Sequence, residues 1–138
     1  MRSNDSYARL RCGLQAKGMN AFAPAAVKPV VDITALESLD IRVGTIEQVE
    51  EVPHSDKLMK LSVDFGDHHR TILAGIKKER EDPQELKGRQ ALFVVNLKSR
   101  TMSGEISEGM LFDIGYADGI TPVLAVPERP VPDGVRAG

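Results

Sequence analysis

The chain has 138 residues, 41% hydrophobic and 28% charged, with 18 basic against 20 acidic side chains and a formal charge of −2. These values suit one globular domain long enough to bury a core. They disfavour disorder, and no apolar run approaches the roughly 20 residues of a spanning helix. A lone cysteine, Cys12, excludes a disulfide-stapled scaffold and a zinc ribbon and fits a reducing, cytoplasmic compartment.

Residues 1–31 hold Arg2, Arg9, Arg11, Lys17 and Lys28 against Asp5 alone, while residues 32–138 carry thirteen cations against nineteen acids. A nucleic-acid partner calls for a positive footprint, so only local clustering of cations could supply one in this acidic stretch. The first segment lacks a strand or long amphipathic helix and closes in a Pro/Ala-rich linker over 21–31. A flexible arm is expected over 1–31, followed by one domain over 32–138. The arm's Arg-bearing, acid-poor composition resembles a weak organelle transit peptide without the apolar core of a secretory signal. The plainer alternative is an extension upstream of a start at Met19.

From Asp32 the pattern becomes regular. Ile33 to Leu39 can form one short helical turn. Residues 41–49 (IRVGTIEQV) give near alternation interrupted by Gly44, which suggests a strand with a bulge or sharp bend. A polar loop containing Pro53 follows. Residues 58–65 place Leu61, Val63 and Phe65 on one face, and Gly66-Asp67 turns the chain into 70–74, so the two runs read as a hairpin. Asp82-Pro83-Gln84-Glu85 has the form of a helix start, with an N-cap Asp, Pro at the first position and Glu poised for a capping box. Gly88 stops it within about one turn, which suits a plug at one end of a sheet.

Residues 90–95 (QALFVV) and 110–114 (MLFDI) read as buried strands. The stretch between them, NLKSRTMSGEISEGM, is polar, glycine-bearing and much longer than the about two to five residues of a hairpin loop. It carries Asn96, Lys98, Arg100 and Ser107 and reads as a working loop. The order of elements predicts an all-β, five-stranded OB-fold Greek-key barrel with one short helix. Such barrels bind through the face of the second and third strands and through the first and fourth loops. An open α+β sandwich is the structural competitor.

Seven short stretches occur in order: Asp40 to Gly44, His54 to Leu58, Val63 to Gly66, Arg70 to Ile72, Ala74 to Ile76, Asn96 to Lys98 and Ser107 to Met110. Together they resemble the structure-specific tRNA-binding domain. This OB module occurs free as a small dimeric protein, at the C-terminus of many methionyl-tRNA synthetases, in cytokine-like synthetase cofactors and as CsaA-type secretion chaperones. The resemblance covers Ile33 onward. It implies non-enzymatic recognition of tRNA by shape, in trans or alongside an aminoacyl-tRNA synthetase, with Asn96, Lys98, Ser107 and Met110 matching positions of the RNA-contacting motif. Arg100 in the same loop, Lys57 in the first loop and Arg42 on the first strand are further candidates. The tail over 124–138 resembles the family's dimer-forming extension, implying a homodimer, with a tail wrapped on its own barrel as the alternative.

The chain departs from the family where Thr101 and Ser103 stand at positions often basic in good tRNA binders, and where Arg100 replaces a common alanine. Fewer phosphate contacts mean weaker, less salt-dependent binding. CsaA-type relatives lack some of those cations too, so binding of unfolded or exported polypeptides is the alternative function. Each candidate also has a plainer role: an ion pair for Arg42, a solvated turn lysine for Lys57, core packing for Met110, and loop-holding hydrogen bonds for Asn96 and Ser107. With two tyrosines, four phenylalanines and no tryptophan, a run of base-stacking platforms is disfavoured. His54, His68 and His69 do not sit at ligand spacing with Cys12, and neither a phosphate loop nor a nucleophile elbow is present, so no metal, cofactor or catalytic residue is assigned.

Overall fold

The computed structural model describes residues 22–138, so most of the anticipated arm, and Cys12, lie outside the described residues. Residues 22–30 form no helix or strand and are exposed, and they belong to a different unit from Val31–Gly138. Within the latter, a short helix α1 (Ile33–Glu37) precedes β1 (Ile41–Glu51), β2 (Met59–Asp64) and β3 (His69–Ala74). A 3-10 helix (Pro83–Leu86) leads into β4 (Gln90–Val94). Six further short strands complete the chain: β5 (Arg100–Met102), β6 (Glu105–Ser107), β7 (Met110–Leu111), β8 (Asp113–Ile114), β9 (Val123–Leu124) and β10 (Arg136–Ala137).

The main sheet runs β3-β2-β1-β4-β7, the five-stranded pairing of an OB barrel. β1 is the pivot, pairing β4 from Ile41 to Thr45 and β2 from Thr45 to Glu51. A bulge between Ile46 and Gln48 lets it serve both partners, because the extra residue increases local twist and bends the strand around the core. The burial pattern records the bulge: Gly44 and Ile46 face inward, then Val49, so the inward parity changes across Glu47. Gly44 therefore has another role than the bend its sequence suggested. A Cβ there would lie 2.5 Å from Val63 Cγ1 and 2.8 Å from Phe65 Cε1, and only glycine lets those side chains cross the strand.

The core gathers Ile46, Leu61, Val63, Ile72, Leu86, Ala91 and Phe93, with Phe65 meeting Phe93 edge-on at 5.6 Å. Leu86 comes from the 3-10 helix and is fully buried, so that turn does plug the barrel. Asp82 caps it by accepting from Gln84 N–H at 3.0 Å. Glu85 does not close a capping box; its carboxylate takes Arg80 at 3.0 Å instead.

Closure between β3 and the β6–β7 segment relies on side chains as well as backbone. Ser107 Oγ accepts from Leu73 N–H at 3.0 Å, and Glu108 Oε1 accepts from Thr71 N–H at 2.9 Å. Glu108 N–H donates to Thr71 O at 2.8 Å, while Arg70 Nη1 donates to Val95 O at 2.7 Å and Glu108 O at 3.0 Å. The barrel is nearly closed in this way, which protects the strand edges.

The tail returns to its own barrel. β10 pairs Arg136 with Arg42 and Ala137 with Ile41, Val43 N–H donates to Val135 O at 2.9 Å and Gly134 N–H to Val43 O at 2.8 Å. It occupies the edge of β1 that β2 leaves open, so these backbone groups find partners within the chain. Asp133 receives Thr45 Oγ1 at 2.6 Å, and Gln90 exchanges bonds with Val131 at 2.7 and 3.1 Å.

Candidate nucleic-acid interface

The polar stretch 96–110 is a hairpin rather than an irregular loop. β5 and β6 pair Arg100 with Ser107, Thr101 with Ile106 and Met102 with Glu105. Ser103 and Gly104 form the tip with φ of +49° and +81°, the double left-handed geometry of a two-residue turn that matches strand twist. Three contacts fix this hairpin to the barrel: the Ser107 bonds above, Met102 packed against Val52, Leu58 and Leu73, and a Lys60 Nζ to Glu105 Oε1 pair at 2.9 Å. That pairing raises the Lys60 pKa, chiefly through the hydrogen bond to Glu105.

The hairpin carries Lys98 and Arg100 into solvent. The first loop comes beside it, held by Ser55 Oγ accepting from Leu58 N–H at 3.0 Å and by Lys77 N–H donating to Lys57 O at 3.1 Å. Lys57, Arg100 and Met110 line one groove of about 400 Å³. Met110 is 47% exposed, so it is available for contact although it begins a strand. Among the described residues, Lys57, Lys98 and Arg100 have no carboxylate at ion-pair distance, whereas Lys60, Lys77, Lys78 and Arg80 pair with Glu105, Glu51, Asp56 and Glu85. Glu79, on the same groove, has its pKa raised by burial and then by the charge of Asp113.

The remaining candidates are engaged elsewhere. Ser107 is 5% exposed and both sides of its hydroxyl are used, since it also donates to Gly109 O at 2.9 Å. Asn96 accepts from Asp40 N–H and donates to Ser38 O, both at 2.8 Å, clamping the start of β1. Arg42 forks onto Asp40 at 2.8 and 3.0 Å, and that hydrogen bond, followed by nearby positive charge, holds the Asp40 carboxyl below its ordinary value. Arg42 and Asn96 line a different groove, of about 860 Å³, between α1 and β10.

One cluster escaped sequence reasoning. Glu47, Asp64 and His69 bring three ligand-type atoms within 4.8 Å of one another, and His69 Nε2 lies 2.6 Å from Glu47. They come from three neighbouring strands, with the bulge re-aiming Glu47, so no ligand spacing appears along the chain. They could offer three donors to a divalent cation, though His69 and Glu47 already satisfy each other.

A nearly closed five-stranded barrel, with Arg100 of the β5–β6 hairpin and Lys57 of the first loop on one groove, has the architecture of the OB class. Residues 41–136 match the sequence family described as "Putative tRNA binding domain"; the chain belongs to that family. It is 40% identical over 96 residues to a methionine–tRNA ligase of Methanocaldococcus jannaschii, covering 70% of this chain and 15% of that protein. The chain thus spans only about 15–18% of the length of the curated relatives it matches. Among solved structures it resembles a MetRS-related protein from Pyrococcus horikoshii, at 34% identity and TM-score 0.74 over 80% of this chain and all of that one. The chaperone CsaA from Bacillus anthracis matches at 29% identity and TM-score 0.70, again over 80% of this chain and all of that one.

Proposed function

We propose that this chain binds tRNA by shape, without catalysing a reaction, and acts as a homodimer in trans or alongside an aminoacyl-tRNA synthetase. The observation that carries this reading is that Lys57 and Arg100, exposed and without a carboxylate partner, line one groove, with exposed Lys98 two residues before Arg100, next to Lys60, Lys77, Lys78 and Arg80, which carboxylates already neutralise. Desolvating an unpaired cation against a phosphate breaks no existing ion pair, so these three supply the positive footprint that the overall composition withholds. Met110 adds an adaptable apolar contact. Asn96 and Ser107 serve the surface by holding its backbone, and Arg42 by fixing the start of β1.

Gel-shift titration with unfractionated tRNA at two salt concentrations tests it. Binding at low salt should weaken steeply as salt rises. Lys98→Ala and Arg100→Ala should each lower affinity about tenfold and reduce the salt slope by about one. Absence of binding at low salt rejects the reading. Binding of unfolded polypeptides is the second reading, favoured by the likeness to CsaA and by exposed Phe112, Ile114, Val123 and Val126. It requires protection of a denatured client from aggregation by protein that does not retard tRNA.

A further inference from the structure

We infer that the groove beside the β5–β6 hairpin takes one unstacked guanine base of the bound RNA, an inference that rests on the tRNA-binding reading above. Its volume of about 400 Å³ lies at the small end of the roughly 300–1,000 Å³ range of ligand pockets. That is room for one base with its ribose. The wall is apolar, built from Leu58, Leu73, Ile76 and Leu111. Tyr116, a residue 72% exposed, borders the same groove and has no place in the core. A base entering here stacks on the Tyr116 ring and on the polarizable thioethers of Met102 and Met110.

The charged residues of the groove divide by sign. Lys57 and Arg100 are unpaired cations suited to the phosphates flanking the base, Arg80 is already held by Glu85 at 3.0 Å, and Glu79 and Asp113 are carboxylates that share the groove. A carboxylate repels phosphate but accepts two parallel N–H bonds. Of the four RNA bases only guanine offers two adjacent donors, N1–H and the N2 amino group, on its Watson–Crick edge. Cations for the backbone and a carboxylate for the base edge therefore select guanine, and unstacked bases of folded RNA are read on such edges.

Titration of the isotope-labelled full chain with GMP, AMP, CMP and UMP, followed by NMR, tests the assignment. GMP should saturate shifts at Gly75, Asp113, Tyr116 and Leu124, with the other nucleotides about tenfold weaker or more. Glu79→Gln together with Asp113→Asn, which keep side-chain shape, should abolish that preference. Lys98→Ala should weaken tRNA binding while leaving the GMP titration unchanged. Equal response to all four nucleotides, or shifts confined to the phosphate-binding cations, overturns the guanine pocket. So does an aliphatic peptide that moves these resonances when GMP does not. Retained tRNA binding with no guanine preference rejects the pocket alone, whereas loss of tRNA binding at low salt in the unmodified chain rejects the parent reading.

Discussion

Ser107 shows how much one buried hydroxyl can be asked to do. It sits where β3 and β6 approach, accepting from Leu73 N–H at 3.0 Å and donating to Gly109 O at 2.9 Å. Ser107→Ala leaves a buried backbone donor unpaired, which costs about 1–3 kcal/mol. The urea midpoint should fall accordingly, and amide exchange at Leu73 should accelerate. The plainer reading of Ser107 as a loop-holding hydrogen bond named this kind of role but not its partner, which lies 34 residues away. Arg42 was more legible, since its plainer reading named an ion pair with a strand neighbour. Asp40 pairs with it and titrates below its ordinary value, so the folded chain binds that proton less tightly than the unfolded chain. The stabilisation is therefore complete above the ordinary carboxylate range and is lost as pH falls through the lowered pKa. Arg42→Met should move the Asp40 carboxyl upward in an NMR titration and flatten stability across that acidic window. An unmoved Asp40 would mean that Arg136 and Arg70, the more distant cations, hold it instead.

At the scale of elements, β1 to β4 were readable as apolar runs bounded by turn residues, and Met59, Leu61 and Val63 keep strict alternation along β2. The 96–110 hairpin was not. Its two strands have only three residues each, too few for a period-two signal, and anchors such as Lys60 and Ser107 act across long sequence separations. Gly44 misled for a related reason: its constraint comes from Val63 and Phe65 on a neighbouring element. Gly44→Ala should destabilise by about 1–3 kcal/mol through overpacking, measurable as a lowered thermal midpoint. The hairpin also offers a gain-of-function test. Thr101 is exposed and pairs Ile106 across the ribbon, so Thr101→Lys adds a cation beside Lys98 and Arg100 without disturbing the turn. Affinity for tRNA should rise about tenfold at low salt, with a salt slope steeper by about one phosphate contact. Unchanged affinity in a folded variant would place the RNA elsewhere than on this hairpin.

For the whole molecule, the barrel is complete within one chain, tail included, yet an apolar surface is left over. α1 buries none of its residues, with Ile33 67% and Leu36 50% exposed, and it flanks the groove that continues to Val135 and Ala137 of the returning tail. The resemblance implied a dimer through the tail. Gly134 to Ala137 of the tail bond to β1 of the same chain, so we propose that self-association uses side chains of α1 and the outer side of β10. Two copies joined there would carry two hairpins, and a tRNA engaging one would meet the second at high effective concentration, offsetting the small cation count of each. Replacing Ile33 and Leu36 together by Glu should yield monomers in sedimentation while the barrel's circular dichroism is unchanged, because neither side chain contributes to the protomer core. If both hairpins engage one RNA, tRNA affinity should fall about a hundredfold with dissociation, far more than the loss of charge balance alone can produce at moderate salt. Monomeric behaviour of the unmodified chain at concentrations that saturate tRNA would reject the dimer, and a monomeric variant of full affinity would reject its contribution to binding.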